Sequence, residues 1–244
     1  MEISQERNED MLQKIKKIAI YGDSILKGVV YDEKTRHYSV ANEAFEKLSE
    51  ELPDVQISNF ARFGCTIRKG YRYFTDALKK GLQCDSVIVE FGGNDADFNW
   101  AEVSAYPEEE HLPNTPLHAF EELLVEMLRE LKTKGIRPIL MSLPPIHAER
   151  YLDFLAAKGL SKENILRWLG DVQMIYRFQE MYSNAITKIA YMTETLLADV
   201  RAAFLDKHNF TELFCQDGIH PNEKGQALVR QTFVELALAH PQGI

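Results

Sequence analysis

The sequence predicts an α/β fold, a three-layer α/β/α sandwich in which helices cover both faces of a mainly parallel five-stranded sheet. Two observations predict it. Five short apolar segments alternate with longer segments of helical spacing along most of the chain. Strands that follow one another in this β-α-β order are joined by right-handed crossovers and lie parallel.

The five predicted strands are short, and most are near-continuous apolar runs or carry β-branched residues. Strands that are buried on both faces, as in a parallel sheet, have this composition. They are Lys17–Tyr21, Val55–Phe60, Ser86–Phe91, Arg137–Leu143 and Thr195–Val200.

Helical spacing characterises the main segments between these strands and the last segment of the chain. Thr66 is a candidate N-cap and Gly81 a candidate stop for the second helix, and Gly135 ends the third. The predicted helices are Tyr38–Leu52, the stretch from Thr66 to Gly81, Leu117–Lys134 and about Asn222–Ala239.

We expect residues 1–244 to form a single domain, because no repeat, low-complexity tract or linker divides them. Two inserted stretches, at about 96–116 and 144–171, exceed normal loop lengths. Both follow predicted strands, so they would lie over the carboxyl ends of the sheet, where ligands bind. The apolar positions in 144–171 are equally consistent with extra core, a homo-oligomer face, or a lid and pocket wall.

Composition is that of a globular protein, with 45% hydrophobic and 27% charged residues. The net charge of −9 argues against a nucleic-acid partner and against stable association with an anionic membrane. Three cysteines without C-x-x-C spacing are typical of reduced thiols, and no signal-peptide core precedes the first strand, so we expect a cytoplasmic protein. The histidines have no metal-ligand spacing, so no metal is expected.

Three side chains suggest nucleophilic catalysis. Ser24 follows the first predicted strand, on a turn where its hydroxyl can face a substrate. Asp217 and His220 lie three residues apart near the other end of the chain, so one loop can place the carboxylate beside the imidazole. A serine nucleophile needs such a base, and the base needs a partner that fixes its tautomer. The three residues predict a serine hydrolase.

Acyl transfer also requires hydrogen-bond donors for the developing oxyanion. Gly64 lies in a loop after the second predicted strand, where its backbone N–H can approach a ligand. Asn94 follows the third strand in a Gly-Gly-Asn-Asp turn and has a side-chain NH₂ donor. The backbone N–H of Ser24 is a third candidate.

These segments resemble the four sequence blocks of the SGNH hydrolase superfamily, the GDSL-type esterases and lipases. The blocks here are Gly22-Asp23-Ser24-Ile25, Asn59 to Gly64, Gly92-Gly93-Asn94-Asp95 and Asp217-Gly218-Ile219-His220-Pro221. Ile25 stands where the best-known wording of the first block has leucine. The resemblance implies a flavodoxin-like sandwich without a cofactor. It also implies that Ser24 is the nucleophile, His220 the general base, Asp217 its orienting partner, and Ser24, Gly64 and Asn94 the oxyanion donors.

Simpler structural roles compete with the catalytic ones. Ser24 or Asp23 could cap the segment that follows, and His220 could cap the last helix. Asp23 and Asp95 are better explained as turn-forming residues than as catalytic acids. Four further residues on loops near the predicted site are candidates for the substrate pocket: Arg62, Trp100, Tyr106 and His147.

The sequence therefore predicts hydrolysis of a small-molecule carboxylic ester with a short acyl group, such as an O-acetyl ester, through an acyl-serine intermediate. A thioesterase or lysophospholipase that takes longer acyl chains is the nearest alternative. A long apolar groove under residues 151–169 would favour fatty acyl chains, and a shallow polar cleft would favour acetyl groups. A further alternative is a ligand-binding protein that retains the fold but has no catalytic activity.

Overall fold

The computed structural model describes residues 15–41 and 48–240. Five strands form one parallel sheet in the order β4-β1-β5-β6-β7, and two more form a separate antiparallel hairpin. The sheet confirms the predicted fold class and all five predicted strands. The strands are β1 (Lys17–Gly22), β2 (Val29–Asp32), β3 (His37–Val40), β4 (Gln56–Asn59), β5 (Ser86–Glu90), β6 (Arg137–Met141) and β7 (Leu196–Ala198).

Nine α-helices in the described residues surround the sheet, together with a 3-10 turn at Phe210–Leu213 and a helical segment at 48–51. None of the helices in these ranges is long and apolar enough to cross a membrane. The nine are α1 (Ile67–Lys79), α2 (Gly93–Ala96), α3 (Trp100–Ala105), α4 (Leu117–Thr133), α5 (Ala148–Ala157), α6 (Lys162–Leu169), α7 (Gln173–Met192), α8 (Val200–Leu205) and α9 (Glu223–Ala239).

The helix expected at Tyr38–Leu52 is wrong at its beginning. Tyr38–Val40 belongs to β3, which pairs antiparallel with β2. The reason is cross-strand packing, since the Tyr31 and Tyr38 rings pack with centroids 5.1 Å apart and aromatic pairs of this kind stabilise a hairpin. Residues 48–51 are helical, and residues 42–47 lie outside the described residues.

Each face of the sheet has its own hydrophobic core, because strands in the centre of a parallel sheet send alternate side chains to opposite faces. Val89 of β5 packs on one face with residues of α1, α4 and α7. Ile88, its neighbour, packs on the other face with residues of α8 and α9. The main helical partners are Phe74, Leu124, Met127 and Ile186 on the first face and Phe204, Val229 and Phe233 on the second.

A third hydrophobic cluster joins the two inserted stretches. Val103 of α3 packs there with Tyr151 of α5 and Ile165 of α6, and all three side chains are buried. Ser104 reinforces the contact, because its Oγ accepts a hydrogen bond from the backbone N–H of Ser161 at 2.7 Å. Ile175 extends this cluster into α7, which also covers the sheet. We propose that the insertions and the sheet are one folding unit, as a single domain requires.

Candidate active site

Ser24 lies in the turn that follows β1, at the carboxyl edge of the sheet. Gly22 ends the strand, and a Cβ at this position would lie 2.8 Å from Oε2 of Glu90, so the close approach of β1 and β5 requires glycine here. The turn is fixed by Asp23, whose Oδ1 accepts the backbone N–H of Ile25 at 2.9 Å. The Ser24 side chain is buried beneath the loops above it.

The Asp217–His220 segment approaches Ser24 from the far end of the chain. Asp217 shapes this loop, because its Oδ1 accepts the backbone N–H groups of Ile219 and His220, each at 3.1 Å. Gly218 has φ 77°, and a Cβ there would lie 2.8 Å from the His147 carbonyl oxygen. Glycine at position 218 therefore lets the loop pack against the first turn of α5.

Ser24, His220 and Asp217 form one continuous chain of hydrogen bonds. His220 Nε2 lies 2.8 Å from Ser24 Oγ, and His220 Nδ1 lies 2.6 Å from Asp217 Oδ2. With a proton on Nδ1, the ring donates to the carboxylate and accepts the serine hydroxyl proton. The two ends of the sequence, 196 residues apart for Ser24 and His220, thus meet in an arrangement that can deprotonate an alcohol.

Electrostatics keep the Asp217 carboxylate ionised although it is fully buried. Burial alone would raise the pKa of Asp217, but the hydrogen bond from the His220 ring, the charge of that ring and the backbone N–H groups lower the pKa below its ordinary value. A buried carboxylate in this state stabilises an imidazolium beside it.

Both remaining oxyanion candidates lie beside Ser24. Gly64 has φ 65°, a conformation that favours glycine, and it lines the same cavity as Ser24. Asn94 also lines the cavity, and its Nδ2 donates to Asp23 Oδ2 at 2.8 Å. An amide NH₂ group carries two hydrogens, and Asp23 takes one of them. Asn94 can therefore donate the other to a ligand.

The cavity next to Ser24 has a volume of about 150 Å³ and mainly apolar walls. Ser24, His220 and Asn94 are among the residues that line it. Its apolar lining comes mainly from the loop after β6, both inserted stretches, α7 and the Asp217–His220 loop, and includes Phe98, Trp100, Leu143, Pro144, Ile146, Tyr151, Ile175, Phe178 and Ile219.

One of the four loop residues expected in the pocket lines this cavity, namely Trp100. The other three do not line this cavity. Arg62 lies with its guanidinium 3.8 Å from the centroid of the Tyr73 ring. Tyr106 is 58% exposed at the end of α3. His147 caps α5, where its Nδ1 accepts the Arg150 backbone N–H at 3.4 Å.

Two aromatic residues that the sequence did not single out enclose the imidazole. The Phe63 ring stacks on His220 with centroids 6.0 Å apart and planes 8° apart, and the Tyr38 ring meets it edge-on at 5.1 Å. Phe63 sits one residue before Gly64, within the second sequence block, and this position could have suggested its role. Tyr38 reaches the site only through the β2–β3 hairpin, which the sequence did not reveal.

Two acidic residues of the cavity lining were also missed. Glu90 is the one charged residue in the apolar run Ser86–Phe91, and a lone acid in such a run could have indicated a special role. Asp97 accepts hydrogen bonds from Trp100 Nε1 at 2.6 Å and from the Tyr151 hydroxyl at 2.9 Å. It thereby links the two inserted stretches in the cavity wall. Within the described ranges, no three His, Cys, Asp or Glu side chains are grouped so as to bind a metal ion.

The sequence model of the GDSL-like lipase/acylhydrolase family matches residues 20–228. No curated protein matches the chain.

Among solved structures, a lipase/acylhydrolase from Enterococcus faecalis is similar with a TM-score of 0.65 and 18% identity, over 92% of this chain and 96% of that one. A catalytic mutant of an acetylxylan esterase from Geobacillus stearothermophilus has a TM-score of 0.62 and 19% identity, over 91% and 93% of the two chains. At these identities the likeness concerns the fold.

Proposed function

Because the chain belongs to the GDSL-like lipase/acylhydrolase family, and is therefore an esterase or acylhydrolase, we propose that it cleaves short-acyl carboxylic esters through an acyl-serine intermediate. The observation that carries the proposal is the chain of two short hydrogen bonds from Ser24 through His220 to Asp217. Nucleophile, base and orienting carboxylate are all in contact before any substrate binds.

In the proposed mechanism, Ser24 Oγ attacks the ester carbonyl carbon while His220 Nε2 takes the hydroxyl proton. The carbonyl oxygen becomes an oxyanion, which the Ser24 N–H, the Gly64 N–H and the Asn94 amide stabilise. His220 then protonates the departing alcohol, which leaves an acyl-serine. Water adds to this ester by the same steps in reverse, with His220 as the base, and releases the carboxylic acid and free Ser24.

The size of the cavity supports an acyl group of about four to six carbons. An apolar cavity of about 150 Å³ holds a molecule the size of benzene, which has six heavy atoms. An acetyl group would leave most of that space empty, and a long fatty acyl chain would have to extend beyond it. Each buried CH₂ contributes about 0.8 kcal/mol, so a chain that fills the cavity gains binding energy over acetate.

The cavity supports the alternative functions to different degrees. Its aromatic walls offer few partners to a hydroxylated sugar, which makes an O-acetyl sugar ester a weaker candidate than a simple apolar acyl ester. The nearness of Ser24 Oγ to His220 argues against a member that only binds ligands, because a binding site has no need of a serine aligned with a base.

Chain length and covalent labelling test the proposal together. The kcat/KM for p-nitrophenyl esters should peak at butyrate to hexanoate and fall by about tenfold or more at decanoate. A fluorophosphonate should label the wild type but not Ser24→Ala, whereas Ser39→Ala, a matched change on the exposed face of the β2–β3 hairpin, should keep both labelling and activity. Activity that rises steadily to long chains, or equal labelling of Ser24→Ala, would overturn the proposal.

A further inference from the structure

Two buried carboxyl groups lie directly beneath the Ser24 turn. Glu90 ends β5, Asp23 precedes Ser24, and at most 1% of either residue is exposed. Glu90 Oε2 accepts the backbone N–H of Asp23 at 3.1 Å. Both residues contribute to the lining of the cavity beside Ser24. The proposed mechanism gives neither carboxyl group a role, although burying two acids together is costly.

Asp23 holds several parts of the site through its carboxylate. Oδ2 accepts the Asn94 amide at 2.8 Å, and Oδ1 accepts the Ile25 backbone N–H at 2.9 Å. Burial raises the pKa of Asp23, but the two N–H donors on its carboxyl group oppose that rise and favour the ionised form. The position of the Asn94 donor and the shape of the Ser24 turn therefore depend on where the Asp23 carboxylate is held.

Glu90 receives fewer hydrogen bonds than Asp23. No donor in the described residues reaches its buried Oε1, and its Oε2 receives a single N–H from Asp23. An ionised oxygen without a donor is costly in such a place, whereas a protonated one becomes a donor itself. Burial first, and then the negative charge of Asp23, raise the pKa of Glu90 well above its ordinary value.

Building on the proposed function, we propose that Glu90 is a positioning residue for ester hydrolysis. Its protonated carboxyl group donates a hydrogen bond to the Asp23 carboxylate. That bond fixes Asp23, which in turn aims the Asn94 amide at the oxyanion. Glu90 itself touches neither the reacting carbonyl group nor His220, so it acts through Asp23 and Asn94.

The rate effect follows from geometry. A misplacement of about 1 Å in a catalytic donor can cost about 10²-fold in rate. Leucine at position 90 has a similar size but no donor, so Asp23 would lose its support on that side. Glutamine is nearly isosteric, stays neutral, and has an NH₂ that can donate to Asp23 while its oxygen accepts the Asp23 N–H.

The main experiment compares Glu90→Leu with Glu90→Gln on p-nitrophenyl butyrate, with rates normalised to the folded fraction. Glu90→Leu should lower kcat by about 30-fold and change KM by less than about threefold, because the donor acts on the transition state. Glu90→Gln should recover most of that loss. Equal kcat in wild type and Glu90→Leu would overturn the inference, and so would a Gln variant as slow as the Leu variant.

A double-mutant cycle separates positioning from a general effect on structure. If Glu90 acts through Asn94, Glu90→Leu should cost less than about threefold in an Asn94→Ala background. Independent effects, in which the full loss of about 30-fold recurs in that background, would contradict the inference.

Infrared spectroscopy gives a measurement that does not depend on the Leu variant being folded. At neutral pH the wild type should show the C=O stretch of a protonated carboxyl group that is missing from Glu90→Gln. Identical spectra would overturn the inference, because Glu90 would then be ionised. Failure of the proposed function is distinguishable, since it would appear as a wild type that neither turns over esters nor labels at Ser24.

Discussion

Asp217 binds both the ring and the backbone of His220. Its Oδ2 lies 2.6 Å from the ring Nδ1, and its Oδ1 accepts the His220 backbone N–H at 3.1 Å. The three-residue spacing makes this double contact possible within one loop. The carboxylate can therefore fix both the tautomer of the imidazole and the position of the residue that carries it.

Asp217→Asn should lower kcat by about 10⁴-fold with little change in fold. An amide at this position can donate a hydrogen bond to Nδ1, and the imidazole proton then lies on Nε2. Nε2 in this tautomer cannot accept the hydroxyl proton of Ser24. The measurement is steady-state hydrolysis of p-nitrophenyl butyrate. Asp206→Asn, the same change on an exposed residue, should keep wild-type activity. A rate within tenfold of wild type for Asp217→Asn would show that Asp217 is not the orienting group.

Asn94→Ala should lower kcat by about 10²- to 10³-fold while KM changes little, because an oxyanion donor acts mainly in the transition state. Asn209 provides a matched control, since it is exposed and its side chain caps no backbone N–H. Asn209→Ala should leave both constants unchanged. A change confined to KM in Asn94→Ala would instead assign Asn94 to ground-state binding.

Phe178→Ala should shift the preferred acyl chain to greater length. Phe178 lines the cavity, and removing its ring would add space at the apolar wall. We expect the ratio of kcat/KM for octanoate to that for butyrate to rise by about tenfold, a change of about 1.4 kcal/mol. Phe154→Ala makes the same change outside this cavity, where Phe154 packs against Tyr31, and should not alter the ratio. An unchanged ratio in Phe178→Ala would remove this cavity as the acyl site.

Asp95 should make stability depend on pH. Its carboxylate accepts the Ile67 backbone N–H at the start of α1, and burial raises its pKa from 3.8 to about 7. Between pH 3.8 and about 7, Asp95 is therefore protonated in the folded state and mostly ionised in the unfolded state. This group stabilises the fold most at low pH, and its contribution falls by up to about 1.4 kcal/mol per pH unit as pH rises through that window.

Urea unfolding of wild type and Asp95→Asn at several pH values measures this effect. The free energy of unfolding of the wild type, relative to that of the variant, should fall between pH 4 and 7 and level off above. A difference that stays constant with pH would show that Asp95 has an ordinary pKa in the folded protein.

The sequence was most informative where a local pattern has one physical outcome. Near-continuous apolar runs such as Ser86–Phe91 are typical of strands that are buried on both faces, as in a parallel sheet, so the sheet was predictable. Ser161 immediately precedes α6 and caps it, as serine commonly does, because its Oγ accepts the Asn164 backbone N–H at 3.2 Å. Thr66 marks the beginning of α1, but its side chain makes no capping bond, and Asp95 of α2 takes that role.

Local sequence patterns did not predict which side chains line the cavity. Arg62, Tyr106 and His147 fall on loops that the sequence places near the site, yet they do not line the cavity, because side-chain direction depends on partners that local sequence does not identify. Tyr38 reaches His220 only because a hairpin turns it inward.

By itself, the sequence determined the fold class, the family and the residues Ser24, Asp217, His220, Gly64 and Asn94 as candidates, because each is tied to a strand end or a short loop. Only the tertiary structure decided which walls enclose the cavity, how large it is, and that Glu90 and Asp23 share a buried site. Those features arise from contacts between segments far apart in the chain, and their free energies depend on distance and burial, which residue order alone does not fix.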